Sequence, residues 1–598
     1  MILIFGGTTE GRIAAEVCDK ASKNYLYSTR NGDQKLLASR AEQISGSLDC
    51  EAIAELCRAR DVELIIDAAH PFAEILHFNI ATAATAQSLS VVRFERKSIP
   101  ILYKHALRFA TLGEAVQYIE DNDITDIFAT TGVKSAAALA PLAKRHNITL
   151  RIMDREESNA QIARSGFPHE RVIYYNSEEL NDIATCKELQ IKAILTKESG
   201  DSGGLEHKIA TAEALGIPIL VISRPQLPES QDVVFGQFGL RRAIERLVPD
   251  FFELRTGFTT GSAATAATVA AITAQLIAQD VDNVDIILPN GEPITIPIDR
   301  TSREGNTSQS WVVKDGGDDP DATHELEISA RVMISPSENN SITIRGGEGV
   351  GTVRLPGIGV EVGEAAINPV PRAMIMDNAK RILTQQNAKN IDVEIEIIVP
   401  RGEEVAIKTF NPRLGIEGGI SILGTSGIVQ PFSSEAFLES IQRQIQIVKA
   451  LGYSQIAINS GAKSERYVKA HFPDLPPQCY IHYGNLIGDT IALAHSEGIK
   501  RVVLGVMVGK AIKLAAGALD THSKRVVMDR DFVLSLARQA HCSDAQIDQI
   551  KAITTARQLW DILPPNHPLF DIVVQHCYAH TKPLLPNGEL EIILIMES

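Results

Sequence analysis

Paired cysteine is the first thing this sequence lacks. Cys18, Cys50, Cys57, Cys186, Cys479, Cys542 and Cys577 are odd in number, scattered, and never spaced Cys-x-x-Cys. That pattern speaks against a disulfide framework and a zinc site, and it fits reduced thiols. An excess of positive charge is also missing. Lys and Arg number 58 against 74 Asp and Glu, a net charge of -16, so the basic face of a nucleic-acid binder is not expected. No run approaches the roughly 18 uninterrupted apolar residues of a membrane span. Met1-Ile-Leu-Ile-Phe-Gly-Gly7 has no basic residue ahead of its apolar run and reads as a first strand rather than a targeting segment. What remains is an ordinary globular composition, 44% hydrophobic and 22% charged. At 598 residues the length suggests several domain-sized units. The expectation is a soluble, cytoplasmic, multidomain protein without nucleic-acid or membrane partners.

The expected fold class is α/β multidomain: two Rossmann-like lobes in the N-terminal half, then α+β followed by wound α/β in the C-terminal half. Ile2–Phe5 reads as a buried strand, Gly6-Gly-Thr-Thr-Glu-Gly-Arg12 as a loop, and residues 13–20 as a helix. Strand, glycine loop and helix are the context of a dinucleotide site. Gly6 and Gly11 hold the first and third glycine places of that fingerprint, but Thr8 holds the middle one. The hydroxyls of Thr8 and Thr9, with Arg12, are therefore the candidate phosphate contacts. After the next apolar segment, Ser28-Thr29-Arg30 stands where an NAD-binding fold places an acid on the ribose. Arg30 suits a 2′-phosphate better and leans toward NADPH over NADH. A plain βα turn is the alternative.

Further along, Asp67 and His70 follow a strand (62–67), where ligands gather in open α/β sheets. A second βα series includes Thr130-Thr-Gly-Val-Lys134, Lys197-Glu-Ser-Gly-Asp-Ser-Gly-Gly204 and Ile217-Pro-Ile-Leu-Val-Ile222. These blocks, in this order with Gly6–Arg12 and Asp67–Ala73, resemble the precorrin-6A reductase family over most of residues 1–248. The resemblance implies hydride transfer from a nicotinamide cofactor to a corrin-ring precursor held between two lobes. His70, Lys197 and Ser199 would then face the tetrapyrrole.

Leu247-Val-Pro-Asp-Phe-Phe-Glu253 is too short and apolar for a floppy tether, so the halves are expected at 1–250 and 253–598, with a sub-boundary near 430. The second half opens on Arg255-Thr-Gly-Phe-Thr-Thr-Gly-Ser262 and an Ala-rich run to Ala278. Two glycines and four hydroxyls ahead of a helix start suggest an anion or polar-ligand loop; a closely packed Gly/Thr turn is the alternative. Asn290-Gly291 between alternating apolar runs signals a hairpin. Asp315, Asp318, Asp319 and Asp321 crowd one turn, where repulsion raises carboxylate pKa values unless donors balance it. Pro369 and Pro371 are expected to stiffen an extended loop before a helix. The glycine, serine and threonine of Asn411–Gly427, with Arg413 and Glu417, suggest backbone contacts to a polar ligand. Gly509-Lys510 lacks the rest of a phosphate-binding loop.

Arg255–Gly261, Lys314–His324, Gly363–Arg372, Asn411–Gly427 and Gly509–Lys524 resemble the cobalt-precorrin-5B C1-methyltransferase family, over about 253–598. The resemblance implies S-adenosylmethionine-dependent methylation of a ring carbon on a fold unlike the common methyltransferases. Thr259, Thr260, Gly261, Gly424 and Thr425 are the candidate S-adenosylmethionine contacts; Arg255, Arg372, Arg413 and Lys510 are the candidate substrate contacts. Asp318, Asp319 and His522 are the candidate bases, and no metal site is expected. The family usually has Cys at Ala263, His at Met507 and Asn at Asp520, so chemistry cannot rest on those groups here. The two resemblances name consecutive steps acting on a cobalt-containing tetrapyrrole, which favours a bifunctional enzyme. One active half, a non-catalytic carrier, and a homo-oligomer stay open.

Overall fold

The computed structural model describes the chain except residues 33, 38–39, 97–98, 176–181, 201–202, 229–231, 524 and 596–598. Asp201, Ser202 and Lys524 of the motifs above lie outside the described residues. Two compact units emerge: Met1–Glu253 with Glu292–Ile294, and Leu254–Gly291 with Thr295–Ser598.

The first unit is mixed α/β with two parallel sheets. In chain order its strands are β1 (Ile2–Phe5), β2 (Tyr25–Thr29), β3 (Ala41–Ser45), β4 (Leu64–Asp67), β5 (Ser90–Glu95), β6 (Ala106–Phe109), β7 (Asp126–Ala129), β8 (Asn147–Met153), β9 (Val172–Tyr175), β10 (Ala193–Lys197), β11 (Ile219–Ile222) and β12 (Asp232–Phe235). One sheet runs β12-β5-β4-β1-β2-β3 and the other β6-β11-β10-β7-β8-β9. Every pair is parallel. The central strands read as continuous apolar runs because both faces are covered. Ile2 and Ile4 pack with residues of the helices Thr9–Asp19 and Gly236–Leu247, whereas Leu3 and Phe5 pack with the helices Cys50–Ala59 and Glu74–Gln87.

The first helix begins at Thr9, not at residue 13, because the Thr8 side chain caps it by accepting the Gly11 N–H at 2.9 Å. The glycine loop is thus already the first helical turn. Phe251 and Phe252 are buried in the core of this unit, which anchors the connection after Leu247.

The second unit has β13 (Gly257–Phe258), β14 (Asn283–Ile287), β15 (Pro293–Pro297), β16 (Arg300–Glu304), β17 (Thr307–Val313), β18 (Glu327–Pro336), β19 (Ile342–Gly346), β20 (Thr352–Val353), β21 (Ile391–Ile398), β22 (Ile416–Glu417) and β23 (Ile428–Val429). It continues with β24 (Gln455–Asn459), β25 (Tyr480–His482), β26 (Arg501–Met507) and β27 (Glu589–Ile595). β14 and β15 pair around Gly291, whose φ of +83° the turn requires.

A five-stranded sheet, β16-β17-β18-β21-β19, carries the helix Thr260–Ile277. Ala263, Ala264, Ala266, Ala267, Ala270 and Ala271 of that helix have no exposed surface, and Ser308 of β17 donates to Ala271 O at 2.7 Å. Small side chains let helix and sheet approach closely. By length and composition this helix could cross a membrane, yet 78% of it is buried in the protein. Pro369 and Pro371 do not extend a loop. They form the first turn of the helix Pro369–Gln385, where a missing N–H costs nothing. A four-stranded parallel sheet, β25-β24-β26-β27, completes the unit.

Candidate active sites

In the first unit the glycine loop is shaped by Tyr27. A Cβ on Gly6 or on Gly11 would run into the Tyr27 ring or hydroxyl, so both glycines are there for packing at the strand–helix turn. Gly7 N–H donates to Gln34 Oε1 at 2.9 Å, and the Tyr27 hydroxyl donates to the same oxygen at 2.5 Å. Thr8 needs a correction. Its hydroxyl donates to Ala68 O at 2.7 Å while capping the helix, so its proton is not available to a phosphate. Thr9 and Arg12 remain at the helix start, with Arg12 exposed and 3.5 Å from the Thr9 hydroxyl. Arg30 follows β2 directly, more than half exposed, 3.8 Å from Glu157.

At the carboxyl ends of both sheets lies a buried charge network that sequence reasoning missed. Arg93, with no exposed surface, donates to Asp67 Oδ1 (2.7 Å), Asp67 O (3.0 Å), Ala69 O (3.0 Å) and Glu95 Oε1 (2.8 Å). His77 places Nδ1 2.7 Å from Asp67 Oδ2 and Nε2 3.0 Å from His70 O. Arg224 reaches Glu95 at 3.2 Å, Arg96 pairs with Glu10 at 2.8 Å, and Arg96 also donates to Ser199 O at 3.3 Å. These last contacts tie the ends of β5 to the loops after β10 and β11. Burial by itself would raise the Asp67 pKa; the His77 hydrogen bond and the Arg93 charge reverse it, and the carboxyl ends below its usual range. The signal was present in Val91-Val-Arg-Phe-Glu-Arg96: a charge in the middle of a buried strand must be paired.

His70 and Lys197 face this region. The His70 ring keeps an open side, but its burial, then the charges of Arg96, Lys197, Lys134 and Arg93, push its pKa down to about 3. The four cations fix the direction even where solvent softens the burial effect. Lys197, with its ammonium 5.0 Å from the centre of the Phe72 ring, is lowered by burial and by Lys134. Ser199 is buried and its hydroxyl donates to Gly203 O at 3.0 Å. A neutral imidazole beside several cations can receive an anionic, partly aromatic ligand without repelling it.

In the second unit the Arg255–Ser262 stretch is not an open anion loop. Thr259 N–H donates to Gly427 O (3.1 Å), Gly261 N–H to Leu423 O (3.0 Å), and Ser262 N–H to the Thr259 hydroxyl (3.2 Å). Thr260 exchanges hydrogen bonds with Leu423, and Ser262 donates to Gly427 O at 2.6 Å. Thr259, Thr260 and Ser262 are buried. The helix start is thus sealed by residues 421–427. Gly424, at φ +132°, packs its backbone against the Thr259 side chain, and the Thr425 hydroxyl lies 3.2 Å from Glu439. Of the five expected S-adenosylmethionine contacts, Thr259, Thr260 and Gly261 are engaged in this seal, while Gly424 is half-buried and Thr425 exposed.

The glycine-rich segments follow the same logic. Ile420 N–H donates to Gly349 O and Gly351 N–H to Ile420 O, and Gly349, Gly402 and Gly419 have no room for a Cβ. The expected ligand cradle of 411–427 is a backbone-to-backbone seam.

The acidic turn is balanced by donors. Asp318 accepts Arg255 N–H at 2.7 Å, Asp319 accepts Phe432 N–H at 3.0 Å, and Asp321 pairs with fully buried Lys314 at 2.7 Å. Asp321 is raised by burial but lowered more by Lys314 and Thr323, so repulsion does not decide this turn. Arg255 is therefore a clamp on Asp318, and Arg372 donates to Ile344 O at 3.1 Å. His522 sits apart in sequence, in the loop after the helix Val508–Ala515, its N–H donating to Asp520 Oδ1 at 3.0 Å.

Arg413 pairs with Glu465 at 2.9 Å, and Glu465 also holds Lys469 and His482. Lys510 donates to Gly484 O and, at 2.8 Å, to Asn485 Oδ1; burial and Lys513 lower it to about 8 against the opposing pull of Asp520. Arg413 and Lys510 both lie around the carboxyl edge of the four-stranded sheet.

A parallel-sheet unit with a glycine loop and cations at its strand ends, fused to a unit built around a five-stranded and a four-stranded sheet, defines a two-part α/β protein. The family described as Precorrin-6x reductase CbiJ/CobK matches residues 1–237; CbiD matches 249–431, and the CbiD C-terminal domain 520–598. The cobalt-precorrin-5B C(1)-methyltransferase of Geobacillus kaustophilus (strain HTA426) is 46% identical over 310 residues, 52% of this chain and 82% of that protein. That of Prosthecochloris aestuarii (strain DSM 271 / SK 413) is 40% identical over 347 residues, 57% of this chain and 94% of that protein. A solved CobK precorrin-6A reductase aligns at 22% identity over 41% of this chain and 97% of its own, with a TM-score of 0.36. The chain belongs to the cobalt-precorrin-5B C(1)-methyltransferase (CbiD) family through its C-terminal half, fused behind a precorrin-6x reductase (CbiJ/CobK) domain. It is an enzyme of cobalamin biosynthesis.

Proposed function

We propose that the second unit methylates C1 of cobalt-precorrin-5B, giving cobalt-precorrin-6A, and that the first unit reduces that product to cobalt-precorrin-6B. The observation that carries this reading is the union on one chain of two families whose reactions are consecutive. Domain limits of 1–250 and 253–598, and a cytoplasmic setting, belong to the same proposal.

The parallel sheet order β3-β2-β1-β4-β5-β12 supports a doubly wound dinucleotide reading, with the switch between β1 and β4. Gly6, Gly11 and the helix start at Thr9 fit a pyrophosphate there, Arg12 and Arg30 supply exposed positive charge, and Arg30 favours NADPH. NADPH supplies hydride, and S-adenosylmethionine supplies the methyl group. Lys197, Lys134 and Arg96 attract the carboxylates of the tetrapyrrole, while neutral His70 offers a flat surface and a hydrogen bond without adding charge. In the second unit, methyl transfer to carbon depends mainly on alignment and exclusion of water. Asp318 and Asp319 are held by Arg255 and by Phe432 N–H, so they position the 255–319 junction; His522 is the remaining candidate base.

The test is a coupled assay on the full chain. Cobalt-precorrin-5B with S-adenosylmethionine should release S-adenosylhomocysteine, and NADPH should then be consumed only after methylation. Release of S-adenosylhomocysteine without NADPH consumption would remove the reductase half of the proposal, and the reverse would remove the methyltransferase half.

A further inference from the structure

The carboxyl edge of the four-stranded sheet holds a buried donor with nothing to donate to among the described residues. Asn459, the last residue of β24, has no exposed surface. Its Oδ1 accepts the Gly461 N–H at 3.2 Å, which settles which limb of the amide is oxygen. Oδ1 faces the start of the helix Ala462–His471, so Nδ2 lies on the other limb, and it has no hydrogen-bond partner among the described residues. Leaving such a donor unpaired costs about 1–3 kcal/mol, and buried amides are almost always satisfied.

The topology places this donor at a switch point. The helix following β24 carries Val468 onto the face formed by Ala457, Tyr480 and Val503. The helix following β26 carries Ala511 and Ile512 onto the opposite face, with Ile456 and Ile458. Connections leaving neighbouring strands on opposite faces open a crevice between their carboxyl ends, where nucleotide-type ligands bind in parallel sheets. Ser460 and Gly461 form one lip, Met507 and Val508 the other, and Glu465 with Arg413 and His482 stands at the β25 side.

We infer that this crevice, rather than the sealed Gly/Thr helix start at Thr259–Ser262, holds the nucleoside of the methyl donor, with Asn459 Nδ2 donating to one of its acceptor atoms. The inference rests on the methyltransferase reading of the second unit.

The experiment is calorimetric titration of the full chain with S-adenosylhomocysteine, with thermal unfolding recorded for every variant. Asn459→Asp removes the donor, Met507→Trp fills the other lip at a half-exposed position, and Thr425→Val probes the Gly/Thr loop. The expected result is binding by the parent chain, a loss of about tenfold or more for Asn459→Asp and Met507→Trp, and parent-like affinity for Thr425→Val. If Asn459→Asp does not fold, Met507→Trp decides. Parent-like affinity in Asn459→Asp and Met507→Trp overturns the crevice and leaves the methyltransferase reading intact. So does loss confined to Thr425→Val. A folded parent chain that binds no S-adenosylhomocysteine removes the underlying reading and the inference with it.

Discussion

Arg93→Met is the substitution that most directly tests the charge network of the first unit. Arg93 is fully buried and makes hydrogen bonds to two carboxylates and two carbonyls. Methionine fills much of the volume but leaves Asp67 and Glu95 without their shared cation. Breaking a buried pair by removing one partner costs about 3–5 kcal/mol, because a charge stays behind uncompensated. For a unit of this size each kcal/mol lowers the unfolding midpoint by about 2–4 °C, so a drop of about 6–20 °C is expected. The pH dependence follows from Asp67, whose folded pKa is depressed in the parent chain. Its contribution is present above the unfolded value and is lost as pH falls through the folded one. In the variant, burial pushes that carboxyl upward, so its penalty grows as pH rises past about 4. The gap between parent and variant should therefore be wider at about pH 8 than at about pH 5. Scanning calorimetry of the full chain, with hydrogen exchange to assign transitions, reads both quantities. A loss below about 1 kcal/mol, or a gap independent of pH, would refute the reasoning.

Other positions make sharper, smaller claims. Gly424→Ala forces a Cβ into the Thr259 side chain at a φ of +132°, and should cost the second unit more than about 2 kcal/mol in denaturant unfolding; a neutral substitution would show that the 421–427 seal is loose. With its pKa near 3, His70 stays neutral, so its ring resonances should not titrate between about pH 5 and pH 8; a midpoint near 6.5 would show that the surrounding cations do not act on it. Arg12→Ala should weaken NADPH binding by about tenfold, and an unchanged dissociation constant removes its phosphate role. Lys197→Met should raise KM for the tetrapyrrole in the reductase step far more than it lowers kcat, and the opposite split would place Lys197 at the reacting atoms.

The parallel sheets of the first unit were legible because strands covered on both faces leave apolar runs such as Ile2–Phe5 and Ile219–Ile222, and because glycine loops follow them. Helix starts were less legible. Thr8 belongs to a glycine motif and to a helix cap at once, and only the hydrogen bonds to Gly11 and Ala68 decide between them. The same ambiguity misled at Thr259–Ser262. Glycine and hydroxyl residues before a helix serve a ligand when their N–H groups stay open, and serve packing when another segment covers them. The covering segment, 421–427, is more than 150 residues away in sequence, so no local pattern could announce it. Arg93 is hidden for a different reason: a charge inside a buried strand announces that it must be paired, but its partners Asp67 and Ala69 lie on another strand and loop.

That distinction also reorders the departures from the family pattern. Ala263 lies in the sealed helix with no exposed surface, packed among other small residues. Burial pushes the Cys577 thiol of this chain up to about 12, which is the direction in which burial acts on any thiol. Alanine at 263 serves the close packing of that helix. The other two departures fall together. Met507 ends β26 at the lip of the crevice, and Asp520 bridges to Leu486 beyond β25 while pairing with Arg525 at 2.9 Å. Met507 and Asp520 thus lie at or just beyond the carboxyl edge of the four-stranded sheet, the edge at which Asn459 ends β24. Restoring Cys at 263 should accordingly leave methyl transfer unchanged, whereas Met507→His should shift its pH profile.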